Sequence, residues 1–397
     1  LDRGRLPQTI IPGVTTSAGT TDLNVIPTVL IRNSDVVTGG ASAAYGSDAV
    51  AGVINFQIDD RFTGVKGSAQ YAETRYGGAK NRFATIAAGT SFADGRGHVV
   101  AGFEFNDNGG TGYYNTARPW GREAWNNAVI NNRPAGTPST VLGPNGNYFG
   151  TASSGGVILT PGQLQGLAFV RGQNGGVSTT QFSRGLSNLT ASLDFFSPAA
   201  LAANASAGIN NLNTQQLRPA QTRYNAMGKV SLDVSNGLTL FIEPLYSNVT
   251  NTGIILPRRD GAGAGPALNI AKDNAYLAQS LTTAQLALVP AAGLSIGYTG
   301  QDFGPNVRRI QNELIRMQAG AKGEFGQGWK WDASYLYGQN TSNVRISNNF
   351  NNVNFRNALD AVNVNGQIIC RIAAATAAGC VPINILGSGP IDLSGSI

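Results

Sequence analysis

The sequence predicts a mostly β protein: an antiparallel transmembrane β-barrel, incomplete here at about seven strands, preceded by part of a small α+β domain. Three observations predict it. Several segments alternate apolar and polar residues with their charges on one face. The connections between them are short at one end and long at the other. Charged residues make up only 13% of the 397, against roughly 25% in an ordinary soluble domain. No run approaches the ~18 apolar residues a spanning helix requires. The mean hydropathy of −0.09 suits strands that carry their apolar residues at every second position.

Residues 1–60 read as the small α+β domain and 61–397 as the N-terminal part of the barrel. Within the first, the run from Thr38 to Phe56 reads as loop, short helix, turn and buried strand. Gly39 and Gly40 permit positive φ, Gly46 and Gly52 allow close backbone approach, and Gly52-Val53-Ile54-Asn55-Phe56 is a short strand. The chain begins at Leu1 without a basic segment and apolar run, and reads as lacking its N-terminus.

After Phe56 the pattern becomes alternating. Candidate strands lie near 63–75, 80–92, 98–108, 222–234, 238–252, 308–325 and 329–347. Val99, Ala101, Phe103 and Phe105 share one face, with Val100, Gly102, Glu104 and Asn106 on the other. Ala226, Gly228, Val230, Leu232 and Val234 stand opposite Met227, Lys229, Ser231 and Asp233. Ile315, Met317, Ala319, Ala321 and Phe325 alternate with Arg316, Gln318, Lys322 and Glu324, and Trp329, Trp331, Ala333, Tyr335 and Tyr337 with Lys330, Asp332 and Ser334. A charge facing lipid at mid-membrane costs roughly 2–4 kcal/mol, so a barrel requires this segregation. An antiparallel sandwich with one wet face gives the same alternation, and loop length decides between them.

Ala93-Asp94-Gly95-Arg96-Gly97, Ser235-Asn236-Gly237 and Gly326-Gln327-Gly328 are tight hairpin chemistry. At the other end Tyr76-Gly77-Gly78-Ala79 is an unusually short connection, but those near 109–222, 253–307 and 350–397 are long and polar, too long to be structureless loops of a compact domain. Short turns at one rim and long loops at the other match outer-membrane barrels, and Phe92, Phe325, Trp329 and Trp331 beside the short turns suit an interfacial aromatic girdle. Seven strands do not close a barrel with a filled lumen, which takes about 22. Open edges in hydrocarbon would leave backbone groups unpaired, so the chain reads as a fragment at both ends.

No catalytic constellation emerges, and no enzyme is expected. The one histidine, His98, reads as a turn residue, and adjacent Asp59 and Asp60 point apart in an extended segment. Glu104, Asp233, Glu243, Glu324 and Asp332 fall on the inner face as wall contacts. Cys370 and Cys380 sit ten residues apart and fit a loop staple in an oxidising compartment, free thiols being the alternative. With no nearby histidine they cannot complete a zinc shell, so no metal or other cofactor is expected. The net charge of +6 is scattered, with Arg258-Arg259 and Arg308-Arg309 as short pairs. They read as solvated loop residues, able to face anionic surface lipid, rather than as a nucleic-acid face. In the first long connection, Tyr113, Tyr114, Arg118, Trp120, Arg122 and Trp125 could stack on sugar rings or grip a carboxylated chelate. The alternative is that these aromatics pack the loop against its neighbours.

The run Gly39-Gly40-Ala41-Ser42-Ala43-Ala44-Tyr45-Gly46-Ser47-Asp48-Ala49-Val50-Ala51-Gly52-Val53-Ile54-Asn55 closely resembles the plug signature of TonB-dependent outer-membrane receptors. In that family it closes the plug just before the barrel. Asp22 to Pro27 with Val36 to Gly40 resembles the plug strand before the signature, and Phe92 to Gly97 the first periplasmic turn. Asn365 to Arg371 with Cys380 to Asn384 resembles a surface loop stapled by a disulfide. Two positions depart from the family pattern: Arg3 precedes Gly4-Arg5 where an acidic or amide residue is usual, and Arg32-Asn33 stands where a Glu-Arg pair is favoured. No plug-to-wall ion pair is carried over onto Arg3 or Arg32.

The resemblance implies an active transporter in the outer membrane of a Gram-negative bacterium. It would bind a scarce nutrient, of the oligosaccharide or ferric siderophore class, and be energised through TonB and the inner-membrane proton gradient. Its further surroundings would be outer-membrane lipid and lipopolysaccharide. The TonB-contacting N-terminus and the first half of the plug would be missing here. Gly39, Gly40, Ser42, Tyr45, Gly46, Ala49, Gly52 and Asn55 would be structural and gating residues. The alternative function is a secreted or autotransported adhesin-like β-protein, whose solenoid repeat of about 20–30 residues is not found. Fold does not choose the substrate.

Overall fold

In the computed structural model 54% of residues are strand and 13% helix, so the protein is mostly antiparallel β. The structure describes residues 23–40, 52–123, 126–129, 136, 140–143, 151–182, 215–261, 265–326 and 328–387. The chain divides into two compact units. One comprises Leu1–Thr111, Arg218–Gly253 and Arg308–Arg345, and the other Gly112–Leu217, Ile254–Val307 and Ile346–Ile397.

The first unit opens with two short 3₁₀ turns, Leu23–Val25 and Thr28–Leu30, where the sequence suggested a strand from Asp22 to Pro27. Pro27 lacks a backbone N–H and cannot donate to a ladder. Strands β1 (Ile31–Thr38) and β2 (Gly52–Ile58) then form an antiparallel hairpin. The remaining strands of this unit are β3 (Gly64–Ala72), β4 (Asn81–Phe92), β5 (Gly97–Asn108), β6 (Ala220–Ser235), β7 (Leu238–Ile255), β8 (Asn306–Phe325) and β9 (Trp329–Ser347). They make one seven-stranded sheet in which sequence neighbours are spatial neighbours, and these are the seven strands the alternation predicts. Among the described residues no sheet closes on itself.

Register sets which side chains share a face, because a slip of one residue would turn a whole strand over. β6 pairs with β5 from Gln221 opposite Asn108 to Leu232 opposite Gly97. Those rungs put Ala226 beside Phe103 and Val230 beside Val99 on one face, and Asn225 beside Glu104 and Lys229 beside Val100 on the other. The first face is exposed: Phe103, Val230, Leu240, Ile242, Tyr246, Ile315 and Met317 are each more than a third accessible. The second is covered by the N-terminal segment. Val25, Ile26 and Leu30, with Val29, Ile31, Phe56, Ile58 and Phe62, pack on Ala87, Val100, Met227, Leu245 and Leu314. β9 is an edge strand, and most of both its faces are exposed. The β4–β5 turn holds Ala93, Asp94 and Gly95 at positive φ, and Gly326 and Gly328 do the same between β8 and β9.

The second unit corrects the reading of the long connections as polar loops. Together they fold around their own sheet, ordered Val177–Gln181, Leu167–Arg171, Val157–Ile158, Leu294–Thr299 and Arg259–Asp260, with Leu268–Ile270 also paired to Leu294–Thr299. The core includes Ile158, Phe169, Leu277, Ile296, Tyr298, Phe355, Ile385 and Leu386. Its helices start on sequence-encoded caps. Asn274 accepts from Tyr276 and Leu277 ahead of helix Ala275–Ser280, Thr282 and Gln285 form a reciprocal capping box, and Asn351 caps helix Asn352–Leu359.

Candidate functional site

The covered face of the seven-stranded sheet carries a chain of charges. Glu104 is fully buried and accepts from the Thr28 backbone N–H at 2.9 Å, from the Thr28 hydroxyl and from Arg223. Arg223 also donates to Asn24 Oδ1 at 3.0 Å, and Asn225 donates to the Asn24 carbonyl at 2.6 Å. Ser247 holds Asn225 from the next strand at 2.7 Å. Further along, Lys229 lies 3.2 Å from Asp60 and 3.8 Å from Glu243, and Glu243 accepts from Arg316 at 3.0 Å. Arg316 reaches Gln318, which donates to Ser334. Three acids and three bases therefore alternate across four strands and the N-terminal segment. Buried charges are tolerated only when paired and hydrogen-bonded; each of these has its counter-charge, and the Nε atoms of Arg223 and Arg316 alone among their guanidinium nitrogens lack a partner.

Shape complements charge at one point. A Cβ built on Gly102 would lie 2.6 Å from Leu30 Cγ, and Leu30 is fully buried. The absence of a side chain on β5 is the socket that receives it.

The predicted site residues are distributed as follows. Gly39 has φ +97°, as expected for the turn. Gly52 has φ +148°, and a Cβ there would stand 2.6 Å from the Val37 carbonyl oxygen, so close approach on β1 demands glycine. Gly40 is exposed, and Asn55 sits opposite Asp35 in the hairpin. Ser42, Tyr45, Gly46 and Ala49 lie outside the described residues. In the first long connection Tyr113 bridges to Gln216, and Tyr114 meets Trp120 edge to face at 5.1 Å. Trp120 is 47% exposed, Tyr113, Tyr114 and Arg118 are half-buried, and Arg118 donates to the Ala117 carbonyl. These four residues share one local turn; Trp125 and the Arg122 side chain lie outside the description.

His98 is not a turn residue. It is a buried member of β5, with Nε2 2.9 Å from the Phe62 carbonyl oxygen and Nδ1 3.3 Å from Ser91 Oγ. Asp60, read as half of an uncommitted pair, is the partner of Lys229. Asn24 and Arg223 escaped sequence reasoning because their contact joins residues 199 apart in the chain. Only the inward phase of Arg223 on β6 could have signalled it.

In the second unit Cys370 and Cys380 form a disulfide with Cα atoms 6.3 Å apart. Next to it Arg371 grips two carboxylates, Asp273 at 2.6 Å and Asp360 at 2.9 Å. The hydrogen bond from Arg371 holds the Asp273 carboxyl below its ordinary value, and the same bonds raise the Arg371 guanidinium further. Burial pushes the Tyr298 phenol well above its usual range. No group of three or more His, Cys, Asp or Glu that could hold a metal ion occurs among the described residues. No family model matches this chain, and a search of curated proteins returns no match.

Proposed function

We propose that this chain is part of a TonB-dependent outer-membrane receptor, an active transporter for a scarce nutrient energised through TonB and the proton gradient. Residues 1–60 are then the second half of the plug, and β3 to β9 the first part of the barrel wall. The observation that carries this reading is the inverted amphipathicity of the sheet: Glu104, Glu243, Arg316 and Lys229 are buried, while Phe103, Leu240, Ile242, Ile315 and Met317 are exposed. In water a contiguous apolar face of this extent is a liability. Against lipid it is the stable arrangement.

Dimensions support the same reading. Aromatics flank the apolar face at both ends, with Phe92, Phe325 and Trp329 beside the short turns and Tyr71, Tyr224, Tyr246 and Tyr337 at the far end. Trp329 to Tyr337 and Phe92 to the Tyr71 rung span eight and ten residues. At ~3.3 Å per residue and a tilt of ~40° this is about 20–25 Å, the height of an outer-membrane apolar band. The exposed edges β3 and β9 require further strands to complete their pairing in hydrocarbon.

The plug's hold on the wall is a finite set of contacts, through Asn24, Thr28, Leu30 and Asp60, which traction from the periplasm could release together. The test is uptake by the full-length receptor in paired strains with and without TonB. The proposal expects uptake and outer-membrane location only where TonB and the intact plug are present. Equal uptake without TonB, or recovery of the protein in the culture medium as for an adhesin, would contradict it.

A further inference from the structure

The second unit contains a cleft of about 630 Å³, within the range of ligand pockets. Its rim is a run of amides, Asn348, Asn349, Asn351, Asn354 and Asn357, and Phe303, Phe350 and Phe355 line it below. The three rings form one cluster, with centroids 4.6 Å apart for Phe303 and Phe350 and 4.9 Å for Phe350 and Phe355. Among the described residues no acidic or basic side chain lines the cleft. The one cation stacked on its aromatic cluster is already spent: Arg258 lies over Phe355 and Phe350, but donates Nε and Nη2 to the two oxygens of Asp260 at 2.7 and 2.9 Å.

Not all of the amides are free. Asn351 caps the helix Asn352–Leu359 and Asn348 donates to the Pro305 carbonyl. The side-chain amides of Asn354 and Asn357, three residues apart on that helix, have no protein hydrogen-bond partner among the described residues and stay accessible, while the Asn354 backbone N–H donates to Asn351. Each offers two N–H donors and a carbonyl acceptor. Paired donors and acceptors without charge complement hydroxyl groups, and aromatic rings complement the apolar faces of sugar rings. A carboxylate-rich or catecholate chelate would find no cation here to offset its charge. Cys380 lines the cleft as well, so the disulfide to Cys370 fixes one of its walls.

We propose that this cleft binds a short neutral oligosaccharide, held by Asn354 and Asn357 over the phenylalanine cluster. The inference rests on the receptor reading for its purpose, since it selects the saccharide class from the two substrate classes that reading leaves open. The experiment is titration calorimetry on the full-length receptor in nanodiscs. The probes are maltotriose, cellotriose and xylotriose, with ferric citrate and a ferric trihydroxamate as comparators. The expected result is saturable binding of at least one saccharide, weakened about tenfold or more in N354A/N357A. Thermal unfolding of that variant should be unchanged. Binding of no saccharide at millimolar concentration, saccharide binding unaffected by the double substitution, or chelate binding lost in the double variant would each overturn the proposal. TonB-dependent uptake measured in cells carrying the same wild-type and variant receptors separates failure of the ligand class from failure of the receptor reading.

Discussion

Glu104 concentrates the contact between the N-terminal segment and the sheet at one carboxylate. Its two oxygens satisfy a backbone N–H, a hydroxyl and a guanidinium, and removing them leaves Arg223 in a protein environment without its counter-charge. Glu104→Ala should therefore cost about 3 kcal/mol, the range for breaking a buried pair. The loss should appear as faster hydrogen exchange of residues 24–31 while β5 and β6 stay protected. Gly102→Val tests the neighbouring socket. It should destabilise by about 1–3 kcal/mol through overpacking against Leu30, and a companion Leu30→Ala should recover part of the loss; without recovery the two sites are not coupled. The inward phase of Glu104 was legible from period-2 alternation alone. Its partners were not, because Thr28 and Arg223 stand 76 and 119 residues away and reach it only after the register of the sheet is fixed.

Strands were the most legible elements, since most of the seven carry their own alternation and hairpin chemistry; the first two were the least certain, the alternation from Phe83 to Phe92 being blurred. The second unit was less so. Its strands are short, some only two residues, too short for a period of two to stand out. The cap at Asn274 and the box at Thr282 and Gln285 were readable signs of helices inside a supposed loop. Two staples hold the C-terminal part of that unit. Cys370→Ser with Cys380→Ser should lower its stability by about 2–3 kcal/mol, the closure term for a loop of ten residues, read as a lower unfolding temperature of the second unit. The Arg371 clamp adds a pH dependence. The Asp273 carboxyl is held below its ordinary 3.8, so its contribution is complete above that value and is lost as pH falls through the lower folded value. Both partners are partly exposed, and the gain is about 1 kcal/mol or less. Hydrogen exchange in the hairpin of Ala361–Val364 and Gln367–Cys370 should accelerate below that pH in the wild type, and Asp273→Asn should remove the step.

For the whole molecule the proposal stands on one inversion: the apolar face of the seven-stranded sheet is exposed and its charged face is covered by the N-terminal segment, which the receptor reading takes as lipid on one side and plug on the other. The mostly antiparallel β class and the sidedness of the sheet followed from residue pattern, since both are periodic properties. Among the described residues the sheet does not close on itself, and closure could not be read from these seven strands. The most direct measurement is a nitroxide scan along β7 of the full-length receptor in bilayers, from position 240 to 247, comparing collision with oxygen and with a water-soluble nickel chelate. Labels at Leu240, Ile242, Pro244 and Tyr246 should be accessible to oxygen and shielded from the chelate, and labels at Phe241, Glu243, Leu245 and Ser247 shielded from both. Equal access of the chelate to the even positions would contradict the membrane-embedded sheet, and the transporter reading with it.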